Sequence, residues 1–125
     1  MAYQSYKDLD IYKISHRLAI EIHDMSLGLP RFEQYGEGSQ IRRSAKSVPS
    51  NIVEGFGRRR YKNEFIQFLT YVLASCDETK EHLNILFETK SLKDKEKYDY
   101  FLSKYEELGR KIINFIKAVE IGHKT

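Results

Sequence analysis

Three consecutive arginines, Arg58, Arg59 and Arg60, follow Gly55–Gly57, and Lys62 stands just beyond Tyr61. Upstream, Arg42, Arg43 and Lys46 form a second basic group. A guanidinium presents a planar fork of donors that matches the oxygens of a phosphate, and a neighbouring aromatic ring offers a surface on which unpaired bases stack. Five arginines against two lysines, with Tyr61 among them, therefore point to recognition of an anion such as a nucleic-acid backbone. From Ser39 to Lys62 these seven cations face Glu54 alone, so this stretch carries +6 while the rest of the chain carries −3 of the formal net +3. Such asymmetry points to an anionic partner more strongly than the total does. The plain alternative is a solvated surface.

Other chemistries find less support. Paired Glu-x-x-His motifs, which hold metals in helical bundles, would need two copies; only Glu120 to His123 has the spacing. His16 and His23 are seven apart and can share a helix face, but no third ligand is identifiable, so they read as surface or interfacial histidines. Glu78 and His82 read as an i,i+4 surface pair. Cys76, the single cysteine, falls on an apolar seam, where a thiol is a small hydrophobe. GFGRRR lacks the strand, lysine and hydroxyl of a phosphate-binding loop. No active site, metal or cofactor is expected.

The elements that position these residues are helical. Ile11, Ile14, Leu18, Ile22 and Met25 recur at steps of three and four, with Ser5 or Asp8 as cap and Gly28 and Pro30 as stops. After the turn-rich RFEQYGEGS, Ser39 is the expected N-cap of a second helix with Ile41, Ala45, Val48, Ile52 and Phe56 on one stripe. On a helical wheel Arg42, Arg43, Lys46 and Ser50 fall on another face, away from the core, with Glu54 beside Arg43. Pro49 removes one backbone hydrogen bond and is expected to kink this helix near Ala45. The third helix carries Phe65, Leu69, Val72, Cys76, Thr79, Leu83 and Leu86; the fourth carries Tyr98, Phe101, Tyr105, Leu108, Ile112, Phe115 and Val119.

Strict three-four spacing and short connections predict one all-α domain, an antiparallel up-down-up-down four-helix bundle with helices over about 8–27, 40–56, 62–88 and 94–119. Of the chain's residues, 41% are hydrophobic and 31% charged, which describes a soluble globular protein. No apolar run approaches the roughly 18 residues that cross a bilayer, and no apolar segment marks a secretory signal in MAYQSYKDLD. With one cysteine and no internal disulfide, the expected address is cytoplasmic. Phe68, Tyr71 and Leu73 on the third helix, and Tyr100, Leu102, Ile113 and Ile116 on the fourth, spread beyond a single seam. That width suggests a second face for a neighbouring subunit, against the plainer reading of an overfilled core margin.

QIRRSAKSVPSNIVEGFGRR followed by NEFIQFLTYVLASCDE, preceded by LDIYKISHRLAIEIHDMSLGLP and the EQYG turn, resembles the 23S rRNA-intervening-sequence four-helix bundle family. The likeness covers roughly Tyr6 to Leu86. It implies a bundle that assembles as a ring, commonly a homopentamer with a central channel, in a family without a settled biochemical activity. A related branch comprises accessory proteins of diversity-generating retroelements, which partner a reverse transcriptase and RNA. Pro49, Asn51, Glu54 and Gly55 belong to the shared motif; Asn51 and Glu54, three apart, are expected to form a structural bridge or a subunit contact rather than an acid–base pair. Where the family places Ser or Thr before the Glu-Phe of the third helix, this chain has Tyr61, so the capping hydroxyl is absent. Two functional expectations follow. The first is a non-enzymatic ring that binds nucleic acid, RNA being favoured, through Arg42, Arg43, Lys46, Arg58, Arg59, Arg60 and Lys62. The second is a scaffold or accessory factor for a protein partner such as a polymerase.

Overall fold

The computed structural model describes residues 5–122, and everything described is helix, turn or connection, without a strand. Four helices, α1 (Asp10–Leu27), α2 (Glu37–Gly57), α3 (Lys62–Glu88) and α4 (Lys95–Gly122), form an antiparallel bundle. Short 3-10 turns at Tyr6–Asp8 and Arg31–Glu33 precede α1 and α2. Each helix packs on the next in sequence, and α4 returns only loosely to α1. His123, and with it the Glu120–His123 spacing, lies outside the described residues.

The stripes expected from spacing form the core. Ile41, Val48, Ile52, Leu69, Leu83 and Ile112 are wholly inaccessible to solvent. Ile14, Tyr98 and Phe115 are half-buried at its edge. Small side chains let α2 and α3 approach each other closely. Thr79 Oγ1 donates to Ser44 Oγ at 2.9 Å, and Ser47 and Ser75 pair through their hydroxyls. At Gly55 an added Cβ would stand 3.0 Å from Phe68 Cβ, so a larger residue would push the two helices apart.

The helix ends differ from expectation in instructive ways. Ser5 and Asp8 make a reciprocal capping box, but on the first 3-10 turn; α1 itself has Leu9 at its N-cap position and no side-chain cap. α2 begins before Ser39, at Glu37, because Glu33 reaches forward to accept from the Glu37 amide at 3.3 Å. The same carboxylate accepts from Ser91 Oγ at 2.5 Å, joining the α1–α2 and α3–α4 connections. Glu37 then contacts His82 Nδ1 at 2.7 Å, while His82 Nε2 lies 3.2 Å from Glu78. His82 therefore ties the start of α2 to α3, a larger role than the surface pair expected of it. His16 is exposed beside the Tyr12 hydroxyl, whereas His23 is half-buried.

Pro49 is buried inside α2, which runs unbroken from Glu37 to Gly57. Lacking an N–H, it leaves the Ala45 carbonyl without its intrahelical donor. α3 starts at Lys62 with Tyr61 at the N-cap position and no side-chain cap, as the missing hydroxyl implied. Before α4, Asp94 accepts from the Lys97 amide at 3.2 Å.

Candidate nucleic-acid interface

The seven basic residues divide between two places. Arg42, Arg43 and Lys46 lie in the N-terminal half of α2; Arg58, Arg59, Arg60 and Lys62 surround the α2–α3 turn. At 1.5 Å per residue the two groups are roughly 20 Å apart along α2. They form two patches, not one.

Within the first patch Arg42 departs from the solvent-facing role expected of it. Its Nη1 donates to Ser26 Oγ at 2.9 Å and its Nη2 to the Gln34 carbonyl at 2.6 Å. Gln34 in turn donates to the carbonyls of Ser26 and Leu29, at 2.9 and 3.0 Å. Arg42 is thus the bracket that ties the end of α1 and its following turn onto α2. The reason is local: α2 begins earlier than Ser39, which carries Arg42 into its second turn, alongside the connection. Arg43 and Lys46 remain exposed, with no side-chain partner among the described residues.

In the second patch, Arg58 pairs with Glu64 at 2.9 Å and Glu54 at 3.4 Å, and lies 4.9 Å over the Phe68 ring. The two carboxylates, Glu64 first, raise its pKa further above the usual guanidinium range. Arg59 Nη1 donates to the Phe56 carbonyl at 2.9 Å, and its guanidinium sits 3.9 Å over the Phe56 ring. Lys62 Nζ donates to the Glu120 carbonyl at 2.5 Å. Both carbonyls belong to the last turns of helices, α2 and α4, where a cation also meets the negative end of the helix dipole. Arg60 is exposed, 5.8 Å over the Tyr61 ring, and Tyr61 is itself exposed.

Chemically, the turn offers stacked guanidiniums and an open phenol ring, which suit phosphates and unpaired bases. It has no nucleophile–base pair. The Cys76 Sγ is buried against the Tyr105 carbonyl at 3.3 Å, and burial pushes its thiol up to about 12. Among the described residues no group of three His, Cys, Asp or Glu could hold a metal ion.

Residues 7–114 match the family model of the 23S rRNA-intervening sequence protein. The chain belongs to that family. Its match runs well into α4, past Leu86, where the quoted sequence likeness stopped. The chain is also similar to a solved protein of unknown function from the S23 ribosomal protein family of Bacteroides thetaiotaomicron VPI-5482. The two share 25% identity over 86% of this chain and 95% of that one, with a TM-score of 0.78. No curated protein matches. Neither the family nor this neighbour points to a catalytic class.

The family motif residues have structural work in this chain. Asn51 Nδ2 donates to the Ser47 carbonyl at 2.9 Å, and Glu54 pairs with Arg58, so Asn51 and Glu54 do not bridge one another. Pro49 and Gly55 are buried, Gly55 at the close approach to Phe68. Sequence reasoning missed Gln34 and Ser26, the partners of Arg42; a buried serine at the last turn of α1 was the available signal.

Proposed function

We propose that this family member is a non-enzymatic, cytoplasmic nucleic-acid-binding protein, with RNA favoured, acting as a homo-oligomer with five subunits in a ring. The observation that carries the reading is the α2–α3 turn. Arg60 and Tyr61 stand open there, beside arginines already stacked on aromatic rings. Arg43 and Lys46 add a second contact point about 20 Å away, close enough for one strand to reach both. Arg42 serves as architecture, and Arg58 is neutralised by its two carboxylates. The binding set therefore centres on Arg43, Lys46 and Arg60, with Arg59 and Lys62, each donating to a helix-end carbonyl, beside it. In a ring each subunit repeats the set, which raises avidity.

Fluorescence anisotropy with a labelled single-stranded RNA tests this. Affinity should fall steeply as salt rises, with about 0.7 of log–log slope for each phosphate contacted. A parent protein that binds neither RNA nor DNA at low salt would refute it. Light scattering should give the mass of one ring of five chains of 14.8 kDa each, or of two such rings.

A second reading, a scaffold for a protein partner such as a polymerase, draws support from the α1–α2 connection. Phe32 and Tyr35 there are 75% and 94% exposed. Aromatic side chains left this open are enriched where proteins meet. Refutation of RNA binding would leave this reading in place.

A further inference from the structure

α1 and α4 close the bundle loosely, and a groove follows the seam between them. Its charged side chains are sorted along the bundle axis. Toward the start of α1 the lining includes Lys13, Arg17, Lys104 and Lys111, with Glu107 as the acidic member. Toward the end of α1 it includes Glu21, Asp24, Asp94 and Glu96, with Lys97 as the basic member. Asp8 and Asp10 lie beyond the basic group, at the far end.

Between the positive and negative halves stand two apolar residues, Ile20 and Tyr100, 53% and 43% exposed. The Tyr100 hydroxyl donates to Glu21 at 2.7 Å, which sets the two residues at one level of the bundle. Ile20 shares a helix face with Lys13, Arg17 and Asp24 through steps of three and four. A face with a positive half, a negative half and an apolar centre complements itself when turned end for end.

We propose that the α1–α4 face is the contact between two antiparallel copies of this chain, related by a two-fold axis that crosses α1 between Ile20 and Glu21 and α4 at Tyr100. Such a rotation lays α1 along its own copy in reverse, and α4 along its own. Counting outward from the axis, Arg17 meets Asp24 of the partner subunit. On α4, Lys104 meets Glu96 of the partner subunit. Every one of these pairings is of opposite sign, and an isologous contact makes each twice. The apolar centre with a charged rim has the anatomy of an interface. Parallel packing would set like charge against like.

This contact does not rest on the nucleic-acid reading, since Arg43, Lys46 and Arg60 are not among the side chains that form it. It also differs from ring closure, which needs a heterologous surface. With both surfaces in use, two rings of five would join as ten.

Two double variants, Arg17→Glu with Lys104→Glu and Asp24→Lys with Glu96→Lys, test the face by light scattering and native mass spectrometry. The parent should contain an even number of subunits, and each variant should fall to half that mass while keeping its helical circular dichroism. Mixing the two variants should restore the parent mass at one-to-one composition, because each then meets its opposite. Independently of whether these variants fold, Ile20→Cys should give a disulfide-linked dimer under an added oxidant, since a residue near the axis faces its own copy. Cys76 is buried and stays silent. Unchanged mass in both variants, a mixture that fails to reassemble, or no cross-link through Ile20→Cys would overturn the proposal. A monomeric parent would overturn it too and leave the face to a different protein. A pentamer would overturn it while sparing the ring, and a dimer would support it while removing the ring.

Discussion

Arg42 and Arg60 are the same residue type near opposite ends of α2, yet the protein uses them differently. At the α1–α2 end the guanidinium of Arg42 is spent on Ser26 and Gln34, and the surrounding Glu33, Ser91, Glu37 and His82 form a continuous set of polar ties. At the α2–α3 end, arginines lie over Phe68 and Phe56, and Arg60 and Tyr61 face solvent. At the first end the arginine holds connections together; at the second Arg58, Arg59 and Lys62 are tied as well, and Arg60 is displayed. A count of cations cannot separate the two, because it ignores what each donor already bonds.

The largest effect should come from glycines at the two ends. An alanine Cβ at Gly38 would stand 2.5 Å from the Glu33 carbonyl oxygen, which is backbone and cannot swing aside. Gly38→Ala should therefore cost about 3 kcal/mol, as forced overpacking does. That corresponds to a melting temperature lower by roughly 10 °C. Gly57→Ala meets nothing within 4 Å and should be neutral or slightly stabilising. Equal melting temperatures for the two variants would break the contrast.

Next comes Arg42→Ala, which strands the Gln34 carbonyl and Ser26 hydroxyl and should cost about 2 kcal/mol by urea denaturation. Arg60→Ala should stay within about 0.5 kcal/mol of the parent. A neutral Arg42→Ala would show that the tied end is no more constrained than the open one.

A smaller effect sharpens the comparison by testing the buried middle that both ends share. The folded Cys76 thiol holds its proton up to about 12, against an ordinary value of 9.0. Below pH 9 both folded and unfolded thiols are protonated and nothing is lost. Above it the unfolded chain ionises first, so stability should decline as pH rises from 9 toward 12. At pH 8 a thiol reagent should modify Cys76 only as fast as the protein opens. Rapid modification of the native protein would contradict this.

Much of this was legible in the sequence. The apolar stripes of α2 and α3 needed only their three-four spacing, since burial in a bundle follows the helix period. α3, expected over about 62–88 from its three-four stripe, spans Lys62–Glu88. The start of α2 was not legible, because its amide is capped from four residues upstream by Glu33, a reach no local capping pattern encodes. Arg42 was misplaced for the same reason: its partners lie in a connection whose path depends on that cap. The charge of the two basic groups was summed over one stretch, which hides the length of the helix between them.

The most direct test of this division is the salt dependence of RNA binding in two triple variants with the same charge removed and in the single variant Arg42→Ala. Arg43, Lys46 and Arg60 together changed to alanine should lower the log–log slope by about 2 units. Arg31, Arg110 and Lys117, exposed elsewhere on the bundle, should leave the slope near that of the parent when changed to alanine. Arg42→Ala should leave it unchanged while lowering stability. Equal loss of slope in both triple variants, or a loss in Arg42→Ala as large as in the first, would contradict the assignment of binding to the displayed cations.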